Sequence, residues 1–151
     1  HVDDKGADGF STFFYYAPGW TEIAAPDFTA DKGHYTVELP TATFMQWQAQ
    51  VHLITDIPGE ADTPYDFSCK FLAKKDIKGV TIKITDTSSD DNFFFIKNYD
   101  LKAGEEYQVK VPASVLKVGA ADALKLVFDF GGNPEGEKVE IYDIIFQKTA
   151  Q

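Results

Sequence analysis

The sequence predicts an all-β fold, a sandwich of two antiparallel sheets. Apolar and polar residues alternate along many short segments, as they do in strands that have one buried face. Clusters such as "DIPGEADTP" and "GGNPEGE" separate these segments, and their glycine, proline and acidic residues suit tight reversals of the chain. Because no long segment has convincing helical periodicity, we expect the strands to form a jelly-roll β-sandwich.

Nine strands are predicted, in the residue ranges 10–16, 34–39, 46–54, 65–73, 80–86, 93–97, 106–111, 124–130 and 139–148. A chain of 151 residues is long enough to bury a substantial core in one domain. We therefore expect residues 1–151 to form a single module. The abrupt start "HVDDKGADG" suggests that this module was excised from a longer protein.

The composition excludes several classes of function. The chain has 24 acidic residues and 14 basic residues, all of them lysine, so its formal net charge is -10. Such a surface repels phosphate groups and argues against nucleic acid as a partner. No apolar segment approaches the roughly 20 residues that span a bilayer, and the single cysteine, Cys69, excludes an internal disulfide. We expect a monomer that does not insert into membranes.

A row of amide side chains in the segment "TFMQWQAQVHLITDI" is the most informative local pattern. If a strand runs through it, alternation gives a core face of Trp47, Ala49, Val51 and Leu53 and an outward face of Gln46, Gln48, Gln50 and His52. Two further strands have polar outward positions, which include Lys83 in "GVTIKITD" and Lys125 and Asp129 in "LKLVFDFGG". One sheet face is therefore expected to be rich in hydrogen-bonding groups.

Such a face suits a ligand with many hydroxyl groups. Amides and carboxylates can bridge neighbouring hydroxyls of a sugar, and aromatic rings pack on its apolar C–H face. The segment "DDNFFFIKNYD" offers Phe93, Phe94 and Phe95 as aromatic platforms. Each polar residue alone could be an ordinary solvated side chain, because outward faces of antiparallel sheets are usually polar. Three such faces together with the aromatic residues favour sugar binding.

Two other functions are weighed against sugar binding. A protein-binding adhesion sandwich ranks second, because such interfaces prefer apolar and aromatic anchors to a row of glutamines. Catalysis ranks last: the sequence has no nucleophile elbow, phosphate loop or dinucleotide motif, and its three histidines are far apart. A polyuronate lyase would need a cationic groove, and arginine is absent. We expect no enzymatic activity in this module.

The order of motifs resembles the carbohydrate-binding modules of family 4 and their relatives in families 9 and 22. The matching segments are "APGW", "DKGHYTVELP", "WQAQVHL", "YDFSCKFLAKKDIKGVTIKI", "LVFDFGGN" and "VEIYDIIF". The resemblance implies a jelly roll whose concave sheet binds one soluble β-glycan chain. It looks closest to modules of family 10 xylanases, which implies xylan as ligand, a covalently linked glycoside hydrolase and an extracellular or cell-surface location. The alternative ligands are β-1,3-glucan and mixed-linkage β-glucan.

The resemblance also implies roles for particular residues. The family pattern of an aromatic platform followed three residues later by a polar side chain falls on Trp47 and Gln50. Because strict alternation separates these two, either a β-bulge turns Trp47 toward the groove or Trp47 belongs to the core. The second platform falls on the three consecutive phenylalanines, of which Phe94 is preferred. Lys125 and Asp129 match the polar positions before "FGG". The outward positions of Gln48, His52 and Lys83 in their predicted strands, not the resemblance, add these three to the predicted ligand-binding residues.

A structural calcium ion is a further expectation from the resemblance. Asp143 in "IYDIIF" matches a carboxylate ligand in the last strand, and Gly33 in "DKGHY" matches a carbonyl ligand. One physical argument points the same way, because an aspartate inside an apolar strand is costly to desolvate unless it is paired or metal-bound. The resemblance therefore implies a calcium site at Asp143 and Gly33.

Overall fold

The chain folds as an all-β sandwich, which confirms the predicted fold class. The computed structural model describes residues 2–3, 11–17, 28–31, 34–39, 42–133 and 137–150. Its strands are β1 (Val2–Asp3), β2 (Ser11–Tyr16), β3 (Phe28–Asp31), β4 (His34–Leu39), β5 (Ala49–Ile54), β6 (Tyr65–Ala73), β7 (Ile77–Asp86), β8 (Ser89–Leu101), β9 (Tyr107–Ser114), β10 (Leu124–Asp129) and β11 (Glu137–Lys148). A 3-10 turn, Gln46–Gln48, precedes β5.

The strands form two antiparallel sheets. One sheet has six strands in the order β1-β2-β5-β10-β7-β8, and the other has five in the order β3-β4-β11-β6-β9. Some paired strands are distant in sequence, as β5 and β10 are, so strand pairing joins the two halves of the chain. Among the described residues, no helix has the length and apolar character needed to cross a membrane.

The core lies between the inward faces of the two sheets. In β6 every second residue from Tyr65 to Ala73 is buried, as strand alternation predicts. Phe71 of β6 packs edge-on against Phe128 of β10, with ring centroids 6.0 Å apart. Cys69 is fully buried in the same strand, and burial raises the pKa of its thiol to about 12, so it is an inert core residue.

A β-bulge in β8 corrects the prediction for the three consecutive phenylalanines. Lys83 pairs with Ile96 and Thr85 pairs with Phe93, so two residues of β8, Phe94 and Phe95, face one residue of β7. Both are core residues, with exposures of 1% and 6%. The preference for Phe94 as a ligand platform is therefore wrong, and so is Phe95 as a candidate.

The residues that flank the bulge face outward, whereas the two residues within it are buried. Phe94 packs against Tyr65 and Phe146 of the second sheet, with ring centroids 5.0 and 5.2 Å apart. Because two successive residues turn inward, the residues on both sides, Phe93 and Ile96, project from the outer face. Of the three consecutive phenylalanines, Phe93 is the one that remains an aromatic candidate on that face.

Candidate ligand-binding face

Three rows of outward side chains cross the middle of the six-stranded sheet. Within a row, the residues of β5, β10, β7 and β8 lie opposite one another, so their side chains project from the same face. We call this surface the polar face, and its rows are Gln50, Asp129, Thr81 and Asn98; His52, Val127, Lys83 and Ile96; and Ile54, Lys125, Thr85 and Phe93. Amide, carboxylate, hydroxyl, imidazole and ammonium groups thus meet over four adjacent strands.

Asp129 is the most unusual group on the polar face. It is 8% exposed, and its Oδ1 atom has no hydrogen-bond partner among the described residues. Burial raises its pKa to about 6, although the nearby Lys83 ammonium acts in the opposite direction. Because a buried carboxylate oxygen without a partner is costly, this atom is suited to accept a hydrogen bond from a bound hydroxyl group.

His52 and Gln50 form a hydrogen-bonded pair beside Asp129. Burial lowers the pKa of His52 to about 4, and the positive charges of Lys125 and Lys83 add to this effect while Asp90 opposes it. The imidazole is therefore neutral at pH 7. His52 Nε2 lies 3.1 Å from Gln50 Oε1, and because an amide oxygen can only accept, this ring nitrogen carries the hydrogen and donates the hydrogen bond. The Gln50 amide is thereby oriented with its nitrogen as a donor.

Side chains on β7 and β8 complete the polar face. Thr81 Oγ1 donates a hydrogen bond to Asn98 Oδ1 at 2.7 Å, which orients the Asn98 amide. Lys125 Nζ reaches from β10 over β7 to Asp90 Oδ1 on β8, at 3.3 Å. The Thr85 hydroxyl is buried and has no hydrogen-bond partner in the described part of the chain. These contacts order the face before any ligand binds.

A loop of residues 42–48, which we call the wall, crosses one end of the polar face. A Cβ atom added at Gly131 would lie 2.0 Å from the backbone oxygen of Met45. One added at Gly79 would lie 2.8 Å from Gln46 Nε2. Phe130 is fully buried and stacks on Phe128 in the core, so the next position, Gly131, lies on the opposite side together with Asp129. The wall therefore lies on the polar face, directly beyond the row that contains Asp129.

Two buried side chains hold the wall in place. Gln48 Oε1 accepts hydrogen bonds from the backbone N–H groups of Phe44 and Met45, at 2.6 and 2.9 Å. Thr43 Oγ1 accepts one from the backbone N–H group of Gly132 at 2.9 Å. Both side chains are at least 94% buried, Gln48 completely. The wall conformation is thus built into the core rather than left to solvent.

Asn133 connects the wall region to two strands of the sheet. Its Oδ1 atom accepts a hydrogen bond from the backbone of Lys78 at 2.9 Å, and its Nδ2 atom donates to the backbone oxygen of Phe130, also at 2.9 Å. Its own backbone oxygen accepts from Thr43 N at 3.0 Å. The wall is therefore fastened to the ends of both β7 and β10.

An aromatic side chain lies at each border of the polar face. Trp47 belongs to the 3-10 turn of the wall and is 37% exposed. Phe93 lies in the row farthest from the wall and is half-buried, with Lys117 Nζ 5.9 Å from its ring centroid. The face therefore combines a polar centre with aromatic rings at two opposite borders, an arrangement that suits a sugar chain.

Solved structures share this architecture. One described as "CBM4 structure and function" has a TM-score of 0.73 and 13% sequence identity, covering 92% of this chain and 87% of that chain. The chain has the fold of a family 4 carbohydrate-binding module. The N-terminal cellulose-binding domain of Cellulomonas fimi β-1,4-glucanase C has a TM-score of 0.64 at 18% identity, with 98% and 93% covered. BiXyn10A CBM1 in its apo form has a TM-score of 0.60 at 13% identity, with 100% and 97% covered.

These similarities concern the fold of the module, because all three sequence identities are low. No protein-family model matches the sequence, and the comparison with curated proteins found no match either. The roles of individual residues in the module therefore have to be argued from its own geometry.

The structure brings together five of the predicted ligand-binding residues. Gln50, His52, Lys83, Lys125 and Asp129 all lie on the polar face, as strand alternation predicted. Phe93 joins them because it lies opposite Thr85, which is on the polar face. Their common location is confirmed, whereas their contact with a ligand stays a prediction.

Two predictions for the segment before β5 are wrong. Gln48 was expected on the outward face, but it is fully buried and binds the backbone of the wall. Trp47 was expected in a strand, either turned by a bulge or placed in the core, but it lies in a 3-10 turn and is partly exposed. Both errors have one cause: β5 begins at Ala49, so alternation does not extend to these residues.

Thr81 and Asn98 are candidate ligand-binding residues that the sequence did not single out. Thr81 occupies an outward position in the pattern of β7, and Asn98 lies opposite it on β8. Asn98 could not be assigned to this face from the sequence, because the bulge shifts the alternation of β8 by one residue. The hydrogen bond between the two side chains extends the Asp129 row to the edge strand.

The calcium prediction has lost its physical support. Asp143 lies at a second bulge, where β11 shifts register against β6, and its backbone φ is +51°. Its side chain is 60% exposed and forms an ion pair with Lys70 at 3.1 Å, so the premise of a desolvated carboxylate is wrong. No group of three metal-ligating side chains occurs among the described residues, and Gly33 lies outside them. Calcium stays a prediction, to be tested by melting curves with and without a chelator.

We expect Gln48→Ala to lower stability rather than ligand affinity as its primary effect. The substitution removes two hydrogen bonds and leaves two backbone N–H groups of the wall without their partner, which should cost about 2 to 3 kcal/mol. Urea unfolding measures the change. Gln147→Ala, at an exposed position of β11, is the control and should leave the unfolding midpoint unchanged. An unchanged midpoint for Gln48→Ala would contradict the role of this residue in holding the wall.

Proposed function

We propose that this chain is a non-catalytic module that binds one chain of a neutral β-glycan on its polar face. The observation that carries the proposal is Asp129, a buried carboxylate with an unpartnered oxygen among the described residues, set in one row with Gln50 and Asn98. Sugar hydroxyls can donate to the carboxylate and accept from the amides. Trp47 and Phe93 supply rings for the C–H faces of the sugars.

Xylan is the ligand we propose within this class. The support is the resemblance of the motif order to modules of family 10 xylanases. One structure with the same fold is described as a cellulose-binding domain, so the ligand has to be tested against glucans. The polar face is open to solvent at Lys83, Gln50 and Asn98, and we expect micromolar or weaker affinity for a single module.

A linked glycoside hydrolase is the partner that we propose for the module. Holding a hydrolase next to its polysaccharide raises the effective concentration of substrate without any chemistry by the module itself. Such an enzyme acts outside the cell or at its surface, where plant polysaccharides occur. The resemblance to modules of secreted hydrolases supports this arrangement.

Titration calorimetry with xylohexaose, cellohexaose and laminarihexaose tests the proposed function. We expect saturable binding, strongest to xylohexaose, with no shortened oligosaccharides in the sample afterwards. Preferential binding to cellohexaose or laminarihexaose would support glycan binding by the module but would identify a glucan, not xylan, as its ligand. Absence of binding to all three would contradict glycan binding and favour the adhesion function, and cleavage products would contradict the non-catalytic role.

We expect Phe93→Ala to weaken binding of the preferred hexasaccharide about fivefold to tenfold, because a sugar loses its stacking partner. Its melting temperature should change little, since the ring is half-buried at the border of the face. Phe93→Tyr keeps an aromatic ring and should bind within about twofold of the unmodified chain. Equal binding by Phe93→Ala and the unmodified chain would exclude this residue as a platform.

A further inference from the structure

The wall exposes large apolar side chains to solvent. Phe44 is 72% exposed, Met45 is 46% exposed and Trp47 is 37% exposed, all within four consecutive positions. Single exposed apolar residues are common on soluble proteins, but three within four positions of one short loop concentrate apolar surface in one place, which favours an interaction. Their exposure is maintained by the buried hydrogen bonds of Gln48 and Thr43, which fix the loop backbone.

We propose that Phe44 and Met45 form a second glycan-contact surface, which takes a neighbouring chain of an insoluble polysaccharide while the polar face holds the first chain. This inference rests on the proposed function. We place this second surface on the far side of the wall, whose backbone lies against Gly131 at the end of the polar face. An exposed phenylalanine ring and a thioether next to it match the apolar C–H face of a pyranose ring.

Charge and patch size favour a polysaccharide over other occupants. The net charge of -10 repels an anionic membrane surface and also repels a second copy of the chain. A stable protein interface uses about 20 to 30 residues on each side, far more than the three apolar residues of the wall. Contact with a neutral polysaccharide requires neither charge complementarity nor a large surface, because the polar face already holds the module on the particle and the second contact is effectively intramolecular.

The test separates soluble from insoluble ligands. The double variant Phe44→Ser, Met45→Ser should bind the preferred soluble hexasaccharide within about twofold of the unmodified chain, because the polar face is intact. Its partition onto insoluble xylan or swollen cellulose, measured by depletion from solution, should fall about fivefold or more. The control variant is Ile145→Ser, which removes a 51% exposed apolar side chain from the other sheet and should change neither measurement.

Each contrary result has a separate meaning. If the unmodified chain binds neither soluble nor insoluble glycan, the proposed function and this inference both fail. If it binds the hexasaccharide and the double variant partitions onto the insoluble polysaccharide as well as the unmodified chain does, the inference alone fails. Equal losses for both ligands would place Phe44 and Met45 in the first site and overturn a second one. A dimer that sedimentation velocity detects and the double variant abolishes would identify a second copy as the occupant.

Discussion

Binding of the preferred hexasaccharide should be about tenfold weaker at pH 5 than at pH 7. Asp129 has a pKa of about 6, so about a tenth of it is ionised at pH 5 and about nine-tenths at pH 7. The ionised form accepts hydrogen bonds from sugar hydroxyls with both oxygens, and charge-assisted bonds of this kind are strong. His52 has a pKa of about 4 and stays mostly neutral at both pH values. Calorimetric titrations between pH 5 and pH 7 measure the change.

The Asp129→Asn variant is the control for this pH dependence. It keeps the shape of the side chain and one acceptor oxygen, so its affinity should be low and nearly constant between pH 5 and pH 7. If Asp129→Asn showed the same pH dependence of binding as the unmodified chain, the group that titrates would be one other than Asp129. Full affinity of Asp129→Asn at pH 7 would remove Asp129 from the binding site.

The same variant should reveal the cost of the buried carboxylate in protein stability. The folded-state pKa lies above the ordinary value of 3.8, so the contribution of Asp129 to stability is fully present below pH 3.8 and is lost as the pH rises through about 6. The difference in free energy of unfolding between Asp129→Asn and the unmodified chain should shift by about 2 to 3 kcal/mol in favour of the variant as the pH rises from 3.5 to 7. His52 acts in the opposite direction over part of this range, because its folded-state pKa is lowered, and comparing the two proteins cancels its contribution.

Gly131→Ala should lower the free energy of unfolding by about 3 kcal/mol. The new Cβ atom would lie 2.0 Å from the backbone oxygen of Met45 and 2.6 Å from that of Gln46, and a backbone cannot move aside as a flexible side chain can. The wall must shift, which breaks the hydrogen bond from Gly131 N to Gln46 O. Urea unfolding measures the loss, and hexasaccharide affinity should fall as well because Trp47 moves with the wall.

The matched control for this substitution is Gly119→Ala. Gly119 is partly exposed, and a Cβ atom there would meet nothing within 4 Å. Its unfolding free energy should stay within about 0.5 kcal/mol of that of the unmodified chain. If Gly131→Ala changed the unfolding free energy as little as Gly119→Ala, the wall would not be packed closely against the end of β10.

The sequence predicted the centre of the polar face because alternation is reliable inside long, regular strands. Gln50, Lys83 and Asp129 each have apolar neighbours on both sides, and a register error would have exposed the whole core face of the strand. The antiparallel sandwich followed from the same periodicity together with the turn residues. Which strands lie side by side was not predictable in this way, since β5 and β10 are joined by contacts between distant parts of the chain.

The errors arose where strand geometry is interrupted. Phe94 and Phe95 are both buried because β8 has a bulge opposite β7. Three identical residues in a row give no indication of which two form the bulge. Gln48 looked like one member of a polar row, but a 3-10 turn before β5 directs its amide to the wall backbone. Asp143 looked buried because its neighbours are apolar, yet the bulge in β11 turns it to solvent and to Lys70.

In the wall, the residues that fix the loop conformation are different from the residues whose side chains are exposed for binding. Its shape depends on buried partners, chiefly Gln48, Thr43 and Asn133, whereas the side chains at positions 44, 45 and 47 point at least partly into solvent. Those three positions can therefore vary in evolution, or be randomised in a library, while the buried frame keeps the loop in one conformation. New ligand preferences could be selected at this border of the module while the buried frame of the loop is kept.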